Sequence, residues 1–238
     1  MKRFSRRWDT LSTRSDEMRN FTVLRAGVLE HEVVAKEMRR LQQLRISDSI
    51  PDTLILVEHP EVVTIGPKAK RDGAVVPSDY ATTPIDRGGG ITWHGPGQLT
   101  VYPIFHWNLE GEGNVQSITN LLEGWVIEAL RPLRIEGVRD DRMQGVWLSG
   151  HKFSSIGLQF LKWVSRHGFT INYDTPPGRV ESLDGCGLES GTTTSLSALG
   201  EEGLTRAKLE ALLLGRAPTS LSRTPSEIQT VSDPPWTV

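Results

Sequence analysis

Cysteine is almost absent from this chain, since its 238 residues include only one, Cys186. A single thiol excludes an intramolecular disulfide and a zinc site built from cysteines, and it favours a reducing compartment such as the cytoplasm. Long apolar runs are missing too, because no stretch approaches the roughly 18 residues that a membrane-spanning helix needs. We therefore expect a cytoplasmic protein that has no membrane partner.

An excess of either charge is also lacking: Lys and Arg number 27, Asp and Glu number 29, and the formal net charge is -2. This balance gives no general attraction to nucleic acid, so we expect no nucleic-acid partner. The basic residues within positions 1–20 would suit an organelle transit peptide, but Asp9, Asp16 and Glu17 interrupt them. The favoured interpretation is a flexible basic terminus over 1–20, with mitochondrial import left open.

Familiar cofactor motifs are missing as well. The glycines between positions 88 and 97 spell neither Gly-x-Gly-x-x-Gly nor a phosphate-binding loop. His31-Glu32 begins like the helix of a zinc protease, but Ala35 stands where the second histidine is needed. We expect neither a metal nor a cofactor.

The chain fits one domain of mixed α/β class over residues 21–216, followed by a Ser-, Thr- and Pro-rich tail over 217–238 that we expect to be flexible. Apolar residues at helical spacing predict helices over 29–44, 114–132 and 205–214, with Asn114 as an N-cap. Pro103 would place its strand at a sheet edge or a bulge, and the turn at Ser149-Gly150-His151 would make a hairpin. Short β-branched and apolar runs predict strands over 53–57, 62–65, 98–105, 146–148, 152–160 and 163–172.

Cys186 is a candidate nucleophile because Gly185 and Gly187 flank it. Neighbours without side chains would let a bulky thioester approach the sulfur and would let backbone N–H groups turn toward its carbonyl oxygen. The alternative is that a lone cysteine is a small buried apolar residue. The Gly-rich segment 87–98, which contains His94, favours the nucleophile, because a loop that only turns rarely needs so many glycines.

This segment reads Arg-Gly-Gly-Gly-Ile-Thr-Trp-His-Gly-Pro-Gly-Gln, and it resembles the signature of the lipoyl(octanoyl) transferases. The family usually has Pro where this chain has Gly185 and often a larger polar residue in place of Gly90. The resemblance extends in the family's order over residues 54–196, through the blocks 54–60, 145–148, 155–157, 167–169 and 194–196, with Thr64, Gly66, Lys152, Asn172, Cys186 and Gly187.

The resemblance implies a biotin/lipoate protein ligase-like fold, with mixed β-sheets and flanking helices. It also implies transfer of an octanoyl group from octanoyl-acyl carrier protein to a lysine of lipoyl domains, those of 2-oxoacid dehydrogenase complexes and of the glycine cleavage H protein. Cys186 would carry the acyl group as a thioester, and Lys152 would lower the pKa of that thiol. The residues implied to line the acyl site are Arg87, Gly88, Gly89, Gly90, Ile91, Thr92, Trp93 and His94, then Ser155, Ile156 and Gly157, then Gly168, Phe169 and Thr170.

Three other interpretations stay open at this point. An ATP-dependent lipoate or biotin protein ligase would share the fold and would not need Cys186. A cysteine hydrolase would pair Cys186 with Asn172 and either His94 or His167, although no local protease signature surrounds the cysteine. A lipoyl-domain binding module with an inactive site would form no covalent adduct.

Overall fold

The computed structural model of this protein describes residues 18–71, 73–183 and 188–238. Within these ranges, no helix is both long and apolar enough to cross a membrane. The helices are α1 (His31–Ile46), α2 (Lys68–Arg71), α3 (Val115–Leu130) and α4 (Arg206–Leu221). The strands are β1 (Arg19–Val28), β2 (Asp52–Glu58), β3 (Val62–Ile65), β4 (Thr82–Pro84), β5 (Ile91–His94), β6 (Gln98–Ile104), β7 (Gly145–Leu148), β8 (His151–Leu161), β9 (Val164–Asn172) and β10 (Arg223–Val231).

Two mixed sheets and their flanking helices form the fold, so the prediction of a mixed α/β class is confirmed. The larger sheet has seven strands in the order β10-β1-β2-β6-β9-β8-β7. β10, β1 and β2 run parallel to one another, and the remaining neighbours are antiparallel. The smaller sheet has the order β4-β3-β5, with β4 parallel and β5 antiparallel to β3.

Apolar side chains on the central strands point alternately to the two faces of the larger sheet, so each face has its own core. Leu54 and Leu56 of β2 pack with α3 and α4 in one core, whereas Ile55 and Val57 pack with α1 in the other. This is the period of two that a strand buried on both faces presents. The smaller sheet has its own core, which Val180 and Leu183 complete from the chain after β9.

Two helices and the hairpin begin at the positions predicted from their capping and turn residues. The Asn114 side chain caps α3 by accepting a hydrogen bond from the Ser117 amide at 2.9 Å. Thr205 caps α4 through the amide of Lys208 at 3.3 Å. Ser149 and Gly150 join β7 to β8, and both have positive φ, 50° and 82°, as a type I′ turn requires.

Pro103 does not mark a sheet edge, so that part of the prediction is wrong. β6 lies inside the seven-stranded sheet, and Pro103 pairs with Leu54 of β2. On the other side the ladder to β9 ends at Val101, beyond which β9 bends at His167, with a φ of 60°. Gly168 leaves room for the proline ring, because a Cβ there would lie 2.6 Å from Pro103 Cδ. The irregularity is on the neighbouring strand.

The segment predicted as a flexible tail is structured. α4 continues through Pro218 to Leu221, and β10 then adds a parallel edge strand beside β1. Trp236 is buried against the core around α1. The proline content of this segment was misleading because Pro225 sits at a register shift of an edge strand, a position that tolerates a residue without an N–H. β1 begins at Arg19, within the segment predicted to be flexible, while residues 1–17 lie outside the described residues.

A buried cation ties this C-terminal strand to the centre of the fold. Arg223 is fully buried and donates to Asp52 of β2 at 3.0 Å and to both carboxylate oxygens of Glu112. Its guanidinium also lies over the rings of Phe105 and Trp107, at 5.1 and 4.7 Å from their centroids. Charges this deep are tolerated only when they are paired and hydrogen-bonded.

We expect Arg223→Ala to lower the free energy of unfolding by about 3–5 kcal/mol, because it leaves the Glu112 carboxylate buried without this cation. Urea titration monitored by tryptophan fluorescence measures the loss. Arg131→Ala is the matched control, since Arg131 pairs with Glu128 at 2.7 Å but is 69% exposed, and it should cost at most about 1 kcal/mol. Equal losses in the two variants would contradict the assignment.

Candidate active site

Two cavities lie side by side where the smaller sheet faces β6, β8 and β9. The first, called the inner cavity, measures about 310 Å³. The second, called the lysine cavity, measures about 380 Å³ and includes Lys152 in its wall. Both are lined by Thr92, Ser155 and Thr170, so these three side chains form a common wall. The inner cavity is completed by His31, Ile85, Arg87, His94, Thr100, Tyr102, Ile156, Gly157, His167, Gly168 and Phe169.

The pairing register of β6, β8 and β9 brings the residues of this wall together. Thr170 of β9 pairs with Thr100 of β6 on one side and with Ser155 of β8 on the other. Two positions along, Gly168 pairs with Gly157. Since side chains at every second position share a face, three segments distant in sequence converge on the inner cavity.

Arg87 anchors the Gly-rich segment to the smaller sheet. Its guanidinium is buried and donates to the hydroxyls of Thr64 and Thr92 at 3.0 and 2.7 Å. The amide of Gly88 donates to the carbonyl of Leu158 on β8 at 3.0 Å, which joins the smaller sheet to the larger one. Glycine is required at 157, because a Cβ there would lie 2.7 Å from Arg87 Cδ.

A chain of hydrogen bonds links the Gly-rich segment to the end of β9. His94 Nδ1 lies 2.9 Å from Gln98 Oε1, and Gln98 Nε2 donates to the side chain of Asn172 at 2.8 Å. Asn172 donates in turn to the carbonyl of Thr194 at 3.0 Å. The Thr194 amide donates to the carbonyl of Lys152, also at 3.0 Å. The backbone of Lys152 is thereby fixed relative to His94.

Lys152 is the one cation in the described wall of the lysine cavity, and it is only 5% exposed. Leu183, the last described residue before Cys186, lines the same cavity. Cys186 itself, within positions 184–187, lies outside the described residues. The prediction that Lys152 accompanies the thiol therefore stays a prediction.

Three histidines form a buried triangle beside the inner cavity. The ring centroids of His31, His59 and His94 are 5.2 to 5.5 Å apart. Burial lowers the pKa of His59 to about 4 and that of His31 to about 3, where His59 adds to the effect, and it holds the pKa of His94 well below its usual range. All three rings are neutral at physiological pH.

The triangle does not form a metal site. Both nitrogens of His59 are engaged, Nδ1 with the Leu29 carbonyl at 2.6 Å and Nε2 with the Tyr102 hydroxyl at 2.9 Å. In the part of the chain that the structure describes, no group of three or more His, Cys, Asp or Glu side chains is placed to hold a metal ion. The Nδ1 atom of His31 has no hydrogen-bond partner among the described atoms, and His31 faces the inner cavity.

A fourth histidine, His167, lines the cavity and is held by Asp86. Its Nε2 donates to the carboxylate at 3.0 Å, and Arg166 donates to the same carboxylate at 2.7 Å. Burial and the neighbouring Arg166 lower the pKa of His167 to about 4 despite this bond. Although burial opposes it, the hydrogen bonds from Arg166 and His167 keep the pKa of Asp86 below its ordinary value.

The structure brings together most of the residues predicted from the sequence. Arg87, Thr92, His94 and the segments 155–157 and 168–170 line the inner cavity, while Ile91, Trp93 and Lys152 line the lysine cavity. Gly88, Gly89 and Gly90 line neither, and their backbone instead docks the segment: the Gly66 amide donates to Gly90 O, and Lys68 N to Gly89 O. Sequence reasoning did not name His31, Ile85, Thr100, Tyr102 or His167 as lining residues of the inner cavity. The alternation of side chains along β6 was a signal for Thr100 and Tyr102, and the resemblance block 167–169 was a signal for His167.

Solved structures of known proteins show to which class this fold belongs. A solved lipoate-protein ligase A bound with ATP superposes with a TM-score of 0.62 at 13% identity, covering 90% of this chain and 89% of that one. The bi-partite lipoate protein ligase of Thermoplasma acidophilum, described with its E2 lipoyl domain, gives a TM-score of 0.60 at 13% identity and covers 88% of each chain. The predicted lipoate protein ligase-like fold is confirmed.

The particular family follows from sequence. Residues 33–215 match the model of the lipoyl protein ligase A/B catalytic domain, and the chain belongs to that family. An octanoyltransferase of Syntrophobacter fumaroxidans is 35% identical to it over 188 residues, which are 76% of this chain and 82% of that protein. The resemblance read from the signature is confirmed.

We expect the free energy of unfolding to fall as the pH drops from about 6.5 toward 4. Unfolded histidine has a pKa of about 6.5, whereas the pKa of buried His59 is about 4. In this window the unfolded chain therefore binds more protons than the folded one, at a cost of about 1–2 kcal/mol per buried histidine by pH 5. Urea titrations at pH 8, 7, 6 and 5 measure it. In His59→Gln the free energy of unfolding should decline less steeply with falling pH. Equal stability of the wild-type protein at pH 7 and pH 5 would contradict the neutral state of the three histidines.

Proposed function

We propose that this chain transfers an octanoyl group from octanoyl-acyl carrier protein to a lysine of lipoyl domains, through a thioester on Cys186. Acyl transfer in protein lipoylation is supported by the family match and by relatives that carry the name octanoyltransferase. The donor, the thioester and the acceptor lysine are the finer parts of the proposal. The acceptors would be the lipoyl domains of 2-oxoacid dehydrogenase complexes and of the glycine cleavage H protein.

One observation carries the proposal: a buried lysine stands in a cavity that shares a wall with a second, partly apolar cavity. Lys152 lines the lysine cavity, and the common wall leads to Ile85, Ile156 and Phe169 in the inner cavity. An ammonium close to the thiol favours the thiolate and lowers its pKa. The apolar part of this lining suits a short acyl chain, whose burial contributes about 0.8 kcal/mol per CH₂.

The neutral histidines make the inner cavity compatible with an acyl chain. His31, His94 and His167 line it, and burial keeps their pKa values well below neutrality. Charged imidazoliums would hold water around them and would oppose the entry of a hydrocarbon chain. With neutral rings, Arg87 is the charged group in the described lining of the inner cavity, and it hydrogen-bonds to Thr64 and Thr92. Lys152 belongs to the lysine cavity.

The first half-reaction would be thioester exchange. The Cys186 thiolate attacks the octanoyl carbonyl carbon, the bond to the carrier sulfur breaks, and the carrier leaves as a thiolate that takes up a proton. One thioester replaces another, so the step is nearly balanced in free energy.

The second half-reaction would form an amide and proceed forward without ATP. The target lysine amine attacks the acyl-enzyme carbonyl, the bond to Cys186 breaks, and the amine loses a proton. Lys152 is the proposed acceptor of that proton, as a neutral amine. Acylation of Cys186 removes the thiolate that stabilised the Lys152 ammonium, so that ammonium can give its proton to the departing carrier thiolate and is then free to accept one from the target lysine, restoring the pair with the released Cys186 thiolate.

Docking of acidic partners would use exposed basic side chains. Arg139 and Arg142 are about half exposed, at 51% and 50%. Lys68 begins α2, whereas the side chains of Lys70 and Arg71 lie outside the described residues.

We place the reaction in the cytoplasm, because the thiol must stay reduced.

Incubation with octanoyl-acyl carrier protein should add the mass of one octanoyl group to the intact protein without ATP. Cys186→Ser should abolish the adduct, because serine lacks an acidic thiol. Intact-mass spectrometry followed by peptide mapping locates the acyl group. Folded wild-type protein that forms no adduct would be a lipoyl-domain binder, and strict ATP dependence with a fully active Cys186→Ser variant would identify a ligase.

Lys152→Ala should reduce kcat/KM about 10²- to 10⁴-fold and alter its dependence on pH, because both the cation and the proton acceptor are removed. Lys152→Arg separates these two roles, since Arg keeps the charge but does not release its proton. It should still form the acyl-enzyme while failing to pass the acyl group to a lipoyl domain. An unchanged pH–rate profile in Lys152→Ala would exclude Lys152 as the proton acceptor.

A further inference from the structure

We propose that Met143 is a positioning residue for acyl transfer: its thioether accepts a hydrogen bond from the Lys152 ammonium and fixes that group beside the lysine cavity. The distance from Lys152 Nζ to Met143 Sδ is 2.8 Å. The inference rests on the proposed role of Lys152. Met143 lies outside every segment that the family resemblance implied for the acyl site, and its contact comes from the tertiary structure.

The loop that carries Met143 is held at both ends by one buried tryptophan. The backbone of Trp147 exchanges two hydrogen bonds with Val138, at 2.8 and 2.9 Å. The indole N–H of Trp147 donates to the carbonyl of Met143 at 3.0 Å. The Arg142 guanidinium lies 4.3 Å from the Trp147 ring centroid and donates to the carbonyl of Gly150 at 3.0 Å. These contacts fix the backbone of the loop that carries the Met143 sulfur.

The passage of the Lys152 side chain toward Met143 is also built in. At Gly145 a Cβ would lie 3.1 Å from Lys152 Cδ and 2.2 Å from the carbonyl oxygen of Ser154. Gly145 has a φ of 136°, which residues with side chains rarely adopt. Its amide donates to the buried carboxylate of Glu123 at 2.9 Å. The missing Cβ of Gly145 therefore leaves room for the Lys152 stem beside β7, and the hydrogen bond to Glu123 holds the backbone of Gly145 in place.

A thioether suits this position because it orients the ammonium without neutralising it. Lysine has a flexible stem and three rotatable donors, so an acceptor on a fixed backbone narrows the positions that a buried Nζ can take. A carboxylate would compete with a thiolate for the positive charge, whereas sulfur is a weak, uncharged acceptor. An uncharged acceptor also allows the lysine to alternate between ammonium and amine, as the second half-reaction requires.

Three substitutions at position 143 test the proposal. Met143→Leu keeps the volume but removes the acceptor, so kcat should fall about 3- to 30-fold with little change in KM. Met143→Gln restores a neutral acceptor and should recover most of that loss. Met143→Glu should give the largest loss, because its carboxylate pairs with the Lys152 ammonium and raises the pKa of the Cys186 thiol by about 1 unit or more. Iodoacetamide alkylation rates as a function of pH report that pKa independently of turnover.

Met38→Leu is the matched control, since Met38 is fully buried around α1 and lies apart from both cavities. It should leave kcat and the alkylation profile unchanged, because Leu replaces Met at nearly equal volume. Wild-type kcat and alkylation in Met143→Leu would overturn the inference, and so would equal losses in all three Met143 variants. If Lys152→Ala is itself fully active, the proposed function of Lys152 fails, whereas an inactive Lys152→Ala beside a wild-type-like Met143→Leu rejects the role of Met143 alone.

Discussion

The site depends on one contact between two sheets: the Gly-rich segment lies against β8 through the bond from the Gly88 amide to Leu158, while buried Arg87 holds the segment to Thr64 and Thr92. These bonds leave the inner cavity between the smaller sheet and β6, β8 and β9. Side chains at the junction would fill it, because a Cβ at Gly157 would collide with Arg87. Gly88, Gly89 and Gly90 of the signature thus serve close backbone packing against β8 and the smaller sheet.

Burial then sets the charge state of the site. Four histidines beside or within the inner cavity are neutral because desolvation lowers their pKa values. Lys152 stands apart from them, across the wall formed by Thr92, Ser155 and Thr170. The proposed acyl chain and the proposed pair of Lys152 with a thiolate would need opposite environments, and two cavities that share a wall would provide both.

Much of this arrangement was predictable from local patterns. The helix period, the N-caps Asn114 and Thr205, the turn at Ser149-Gly150 and the signature around His94 all act between residues close in sequence. The C-terminal strand was not predictable from composition, because β10 is stabilised by pairing with β1 and by the bonds of Arg223 to Asp52 and Glu112. Those partners are more than a hundred residues away.

The sequence by itself determined the types of α1, α3 and α4 and of β2, β3 and β6 to β9, and it marked Cys186 as the candidate nucleophile, since these depend on residue identity and short spacing. The family and the proposed partner Lys152 came from the resemblance of its motifs. Only the tertiary structure placed His31 and Tyr102 in the inner cavity and Met143 against the Lys152 ammonium. Register between β6, β9 and β8 and the loop fixed by Trp147 decide those contacts. The physical reason is that packing and hydrogen bonds between distant segments have no local sequence pattern to reveal them.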